Sequence, residues 1–258
     1  MTFTVRSLCY SARPSARLRS SLTLGFVALA MTAACSKDRP ASEQARAVPS
    51  AASAASAGQK RFEIANGTAT FLIDAPLEKI KGRSTKLRGT LDIDPTNLKA
   101  SKGQVDVDLD DLRTETFQDD EKNKAQTGHS KNWMEIGPDV DPKRREENRW
   151  ARFTIKSIDQ ASVIKAAEGT PIAVKVTGDM WIHGVSAPKT VAASVTFAGP
   201  ADAPTSVHVV TTAPLVVSLK EHDVKPRDLA GKFLSGALEK IGQKIDDSVQ
   251  ISLDLTAK

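Results

Sequence analysis

The sequence predicts an all-β fold of antiparallel sheet, and three observations carry the prediction. Apolar and polar residues alternate with a period of two in short runs from about residue 62 to the C-terminus. Turn residues punctuate the runs, as in Asp94-Pro95-Thr96-Asn97, Gly199-Pro200 and Ala213-Pro214. Helical spacing surfaces in only two patches. Evenly spaced strands with one apolar face each leave a sandwich or a barrel.

Taken in order, residues 62–73 give the first strand, and Leu87, Gly89, Leu91 and Ile93 share one face of the next. In Gly103–Leu112 (GQVDVDLDDL), Val105, Val107 and Leu109 fall on one face and Asp106, Asp108 and Asp110 on the other. The acidic row predicts a solvated outer face, since a carboxylate packed inside costs several kcal/mol unless paired. Residues 113–149 break the alternation with dense mixed charge and a short helix around Asp119–Ala125. Alternation resumes at Phe153 and Ile155. It continues through Ile172, Val174, Val176, Met180 and Ile182, and then through Val191, Ala193, Val195 and Phe197. Residues 206–212, then Leu215, Val217 and Leu219, and finally Val249, Ile251, Leu253 and Leu255 bring the expected count to eight to ten strands. After Pro226, Asp228 is placed to cap a helix with the stripe Leu234, Ala237, Leu238, Ile241 and Ile245. Gly231, Gly236 and Gly242 would let that helix lie close to the sheet.

The formal charge of +5 comes from 36 basic and 31 acidic side chains, but it is unevenly placed. Arg6, Arg13, Arg17 and Arg19 lie in the first 34 residues, which contain no acid, so the rest holds 32 basic against 31 acidic groups. A body so near neutrality has no electrostatic footprint for nucleic acid. The Arg-dotted start and the 13-residue apolar run Leu22–Ala34 read as an export signal. That run falls short of the roughly 20 residues needed to span a bilayer.

Met31-Thr32-Ala33-Ala34-Cys35 resembles a bacterial lipoprotein processing box, which implies that Cys35 becomes the acylated first residue. Ordinary signal-peptidase cleavage after Ala34 is the alternative. Several acyl chains on Cys35 would anchor the protein stably to a membrane, and Ser36, by the sorting pattern of such lipoproteins, favours the outer membrane. Cys9 leaves with the leader, so the mature chain would hold no free thiol and no disulfide, which excludes thiol catalysis and cysteine-ligated metal. Residues 36–60, rich in Ala and Ser, lack the apolar content for a core and read as a tether. The expected organisation is a signal peptide at 1–34, lipidated Cys35 and tether at 35–60, and a folded domain at 61–258.

The segment Gly178-Asp179-Met180-Trp181-Ile182-His183-Gly184-Val185-Ser186-Ala187-Pro188-Lys189 resembles the signature of the YceI-like, polyisoprenoid-binding family. Other blocks follow in the family's order: Ile80–Arg83 with Leu87–Asp94, then Val105–Thr114, and Ile245–Leu255. Arg149-Trp150-Ala151-Arg152 departs from it, standing where the family usually carries a Tyr-Pro pair before the position of Phe153. The resemblance implies a lipocalin-like antiparallel barrel of eight strands or slightly more, with one or two short helices. It also implies non-catalytic binding of a long-chain amphiphilic lipid, a polyisoprenoid or fatty-acid derivative, within the barrel, in the periplasm and cell envelope. A role in stress response goes with that expectation.

The inward faces are aliphatic, which suits a flexible apolar chain, although the same alternation describes a packed core. The residues expected to contact lipid are Leu91, Val105, Val107, Leu109, Phe153, Ile155, Val174, Val176, Met180, Ile182, Val195, Phe197 and Val217. His129, His183, His208 and His222 show no pairing at a metal-binding spacing, and no cofactor is expected. His183 is expected to face outward or into a turn with a structural hydrogen bond. Trp133 and Trp150 flank the charged loop and are placed to close an opening or pack beneath it. Two alternatives stand beside lipid binding. One is a lipid-processing enzyme using His129 or His222 with Asp223; the other is an envelope module that contacts another protein through Pro138–Arg149. Whether two copies pair as a homodimer is left open.

Overall fold

The computed structural model describes residues 58–74, 79–225 and 248–258. Eleven strands lie in one sheet: β1 (Lys60–Asp74), β2 (Lys79–Ser84), β3 (Leu87–Ile93), β4 (Lys102–Asp108), β5 (Arg113–Thr114), β6 (Trp150–Ala161), β7 (Ile172–Ile182), β8 (Val185–Ala198), β9 (Ser206–Thr211), β10 (Leu215–Ser218) and β11 (Ser248–Ala257). The order β1-β3-β4-β6-β7-β8-β9-β11 returns to β1, so eight antiparallel strands close a barrel. The barrel expected from the sequence is therefore present, with three further strands. Closure removes the unpaired edges that an open sheet would expose.

The long strands change partners along their length, which extends the barrel at one end. β1 pairs with β3 over Lys60–Glu63 and with β2 over Ala69–Asp74, while its other edge follows β11. β11 pairs with β9 over Asp254–Ala257 and with β10 over Ser248–Ile251. The register break between Ile64 and Asn66 sits where β1 leaves β3 and gives the strand the bend that the transfer requires.

Two loop ends follow from this topology. At one end lie the start of β1, the β3–β4 turn, the β6–β7 loop and the β8–β9 loop, with Phe62, Leu98, Ala166, Phe197 and Val207 buried beneath them. At the other lies the excursion between β4 and β6, which holds helix α1 (Asp120–Trp133) and helix α2 (Pro142–Asn148).

The helix expected at Asp119–Ala125 is twice that length, and α2 was not anticipated. In α1 the Asp119 carboxylate accepts from the Glu121 and Lys122 amides at 3.0 and 3.1 Å. α2 begins with Pro142 after the Asp141 cap. Both helices are too polar to reveal themselves by apolar periodicity. The helix expected after Pro226, the leader, Cys35 and the tether up to residue 57 lie outside the described residues.

Candidate functional site

Alternation along each strand sends every second side chain into the barrel, and the inward set is almost wholly aliphatic. Two cavities result. The narrower, about 150 Å³, lies toward the β3–β4 end, and the wider, about 290 Å³, lies beneath α1. Ala69, Val107, Ala151, Met180 and Ile251 border both, so the two spaces meet at a waist of small and flexible side chains.

The residues expected to contact lipid distribute between the two spaces. Leu91, Val105, Phe153, Ile155, Val174, Val176, Val195 and Phe197 line the narrower one. Leu109 and Ile182 line the wider one, and Val107 and Met180 line both. Val217 is the exception: it is buried in the packed cluster around the wider cavity and borders neither space. Ala69, Ala151 and Ile251 were not among the expected contacts. Ile251 stood in an alternating run, but nothing in the sequence distinguished the two alanines as the waist.

Polar groups border the wider cavity on the α1 side. Gln126, His129 and Ser130 face it from α1, with Trp133 and Met134 at the helix end, and Thr70 and Ser84 join from the strands. His129 is exposed as well as cavity-lining, so this space reaches the surface beside α1. An amphiphile would find hydrogen-bonding groups there and a mostly aliphatic lining in the narrower space, where Ser101, Lys102 and Thr211 are the polar members.

α1 is fixed over this opening by an unusual C-terminal turn. The Glu135 and Ile136 amides donate to the Asn132 and Lys131 carbonyls at 3.1 and 2.9 Å, the pairing of a Schellman cap. Glu135, at φ 53°, takes the left-handed position that normally goes to Gly. Its buried carboxylate accepts from Arg144 and contacts His183 Nε2 at 3.0 Å and Asn148 Nδ2 at 3.4 Å. His183 and Gly184, at φ 52° and 79°, are the two central residues of the β7–β8 hairpin, where positive φ matches the sheet twist. His183 thus lies in a turn with a structural hydrogen bond, but buried rather than facing outward. Burial pushes its pKa below the ordinary value, against the opposing pull of Glu135.

The acidic row does not form a solvated face. Asp106 and Asp108 point outward, yet each is only 2% exposed. Arg152 closes a two-pronged pair on Asp106 at 2.7 and 2.9 Å, and Arg149 does so on Asp108 at 2.9 and 2.7 Å. Arg88 lies on the Trp150 ring, 3.4 Å from its centre, and completes the cover. The expectation failed because it assumed that the outer face meets water. The Arg149–Arg152 segment that departs from the family pattern supplies the counter-charges. Asp110, further along, pairs with Arg145 at 2.9 Å.

The histidine–aspartate pair of the enzyme alternative is not assembled. His222 is fully buried, with Nδ1 3.1 Å from the Val185 carbonyl oxygen, and burial lowers its pKa. Asp223 is in an ion pair with Lys225 at 2.5 Å. His208 sits on the outer side with Asp254 at 2.8 Å. Among the described residues no three His, Cys, Asp or Glu side chains gather in a way that would hold a metal ion.

The fold and the site together are a closed antiparallel barrel whose interior is lined mainly by hydrocarbon. The model of the YceI-like domain matches residues 61–257, and the chain belongs to that family. A polyisoprenoid-binding domain from Saccharophagus degradans, implicated in plant cell wall breakdown, is similar in structure with a TM-score of 0.51 at 17% identity. That alignment covers 76% of this chain and 97% of that one. BcnA of Burkholderia cenocepacia aligns with a TM-score of 0.47 at 18% identity, over 74% of this chain and 96% of its own. No curated protein matches the chain.

Proposed function

We propose that the protein binds one long-chain amphiphilic lipid, a polyisoprenoid or fatty-acid derivative, inside the barrel without chemical change, in the bacterial cell envelope. The carrying observation is the pair of mainly hydrocarbon-lined cavities that share Ala69, Ala151 and Met180 in their walls, with Gln126, His129 and Ser130 bordering the wider one. A tail threaded through the waist leaves water at about 0.8 kcal/mol per methylene. Its headgroup stays within reach of Gln126, His129 and Ser130. Family membership and the polyisoprenoid-binding neighbour support the same class of ligand.

Catalysis is not part of this function. His129 at the mouth has the chemistry to bond a headgroup, and His222 is held against a carbonyl away from the cavity lining. The leader, the Met31–Cys35 box and Ser36 support export to the periplasm and attachment to the outer membrane through acylated Cys35.

Solvent extraction and mass spectrometry of the processed protein test the proposal. One lipid per chain is expected, and the mass of the N-terminal peptide reads acylation of Cys35 in the same sample. A high-resolution structure with a tightly packed, ligand-free interior would overturn it.

A further inference from the structure

Three large apolar side chains stand exposed among the described residues, and two of them are neighbours: Val163 and Ile164 in the β6–β7 loop, with Ile164 64% exposed. The backbone holds them out. The Ile164 carbonyl accepts from the Leu98 amide at 2.9 Å and the Ala166 amide donates to the Pro95 carbonyl at 2.8 Å, pinning the loop to the β3–β4 turn just after the exposed pair, while the Ser162 amide before it donates to the Ala173 carbonyl at 2.8 Å. Leu98 and Ala166 are buried while Val163 and Ile164 are not, so the loop has an inner and an outer apolar side.

Exposed lysines surround the pair. Lys165 follows Ile164, Lys99 follows Leu98, and Lys102 begins β4. The Asp94 carboxylate of the same turn accepts from Thr96 and the Asn97 amide and keeps its charge, so Asp94, Glu168 and Asp202 are the acids set against these lysines. The chain from Cys35 also enters here: Gln59 Nε2 donates to the Ala100 carbonyl at 2.7 Å and Lys60 Nζ to that of Pro204 at 2.5 Å.

We propose that this loop end, with Val163 and Ile164 foremost among Lys99, Lys102 and Lys165, rests on the anionic surface of the membrane that holds the tether. The mouth beside α1 then faces away from that membrane. The proposal rests on the anchored, lipid-binding reading for its purpose but not for its test. Apolar side chains entering the headgroup boundary beside cations is the general mode of interfacial binding. Each lysine near an anionic leaflet strengthens the contact about fivefold. Only 23 residues separate Cys35 from Gln59, and a random-coil chain of that length would reach on the order of 25 Å. Such a link raises the local concentration to about the millimolar range, so a weak contact is enough.

The test uses the processed chain from residue 35 with Cys35→Ser, held on nickel-chelating vesicles by an N-terminal hexahistidine tag. The anchor therefore does not depend on acylation. An environment-sensitive fluorophore is placed at Ile164→Cys or, as the control, at Val216→Cys, a comparably exposed apolar site on β10. With phosphatidylglycerol in the vesicles, quenching by spin-labelled lipid should be several-fold stronger at 164 than at 216. Lys99→Glu with Lys165→Glu, or raised salt, should bring it down to the level at 216. Equal quenching at both sites, or quenching at 164 that ignores phosphatidylglycerol, overturns the proposal. Lipid extraction from the same sample reports on the interior independently.

Discussion

Arg152 reaches from β6 across to Asp106 on β4, where the strands pair Arg152 directly with Asp106, and both side chains are nearly enclosed. A buried pair is a poor source of net stability, but removing Arg152 costs buried Asp106 its two-pronged partner and leaves it only Arg88 at 3.4 Å and the Gln104 side-chain amide at 3.0 Å. Arg152→Ala should cost about 3–5 kcal/mol in denaturant unfolding. A loss below 1 kcal/mol would show that Arg88 and Gln104, already in contact with Asp106, suffice to hold its charge. The sequence made the opposite suggestion for this row, because period-two alternation assigns a face without saying what covers it. Arg149 and Arg152 lie more than 40 residues from Asp108 and Asp106 and meet them only through the β4–β6 pairing.

At the scale of elements, the contact between the α1 terminus and the β7–β8 hairpin is set by two left-handed residues, Glu135 and His183, bonded to each other. The sequence marked His183 within a turn signature, but Glu135 carried no signal, since Gly is the usual occupant of its position. The contact has a pH dependence whose sign follows from burial. The folded-state pKa values of His183 and His222 lie below the unfolded value of 6.5, so the unfolded chain binds more protons between the two. The contribution of the neutral imidazoles is complete above the unfolded pKa and is lost as pH falls below it. Unfolding free energy should therefore drop as pH falls from 7 toward 5. His183→Asn, which keeps a short polar side chain at positive φ, should flatten part of that slope. An unchanged slope in that variant would remove His183 from the account.

At the scale of the whole molecule, the waist decides what the barrel holds. Ala69 and Ala151, beside Met180, stand in the walls of both cavities. Ala151→Phe should separate them at an overpacking cost of about 1–3 kcal/mol and shift the co-purifying lipid toward shorter chains. Lipids of unchanged length in mass spectra of that variant would show that no tail passes the waist. The eight-strand closure, the strand faces and most inward residues were legible from alternation together with family resemblance. Val217 is buried without bordering either cavity, and in sequence a buried inward position looks the same whether it meets a cavity or a packed neighbour.

The sequence by itself determined the strands, their inward faces, the hairpin at His183-Gly184 and the charged excursion, because each depends on residues close together in the chain. Tertiary structure alone decided the rest. Closure of β1 on β11 joins the two ends of the domain. The cover over Asp106 and Asp108, the placement of α1 over the polar mouth, and the waist between two cavities all depend on side chains brought together from distant strands. Spacing along the chain fixes which way a side chain points, whereas the volume left between opposing side chains exists only once the barrel has closed.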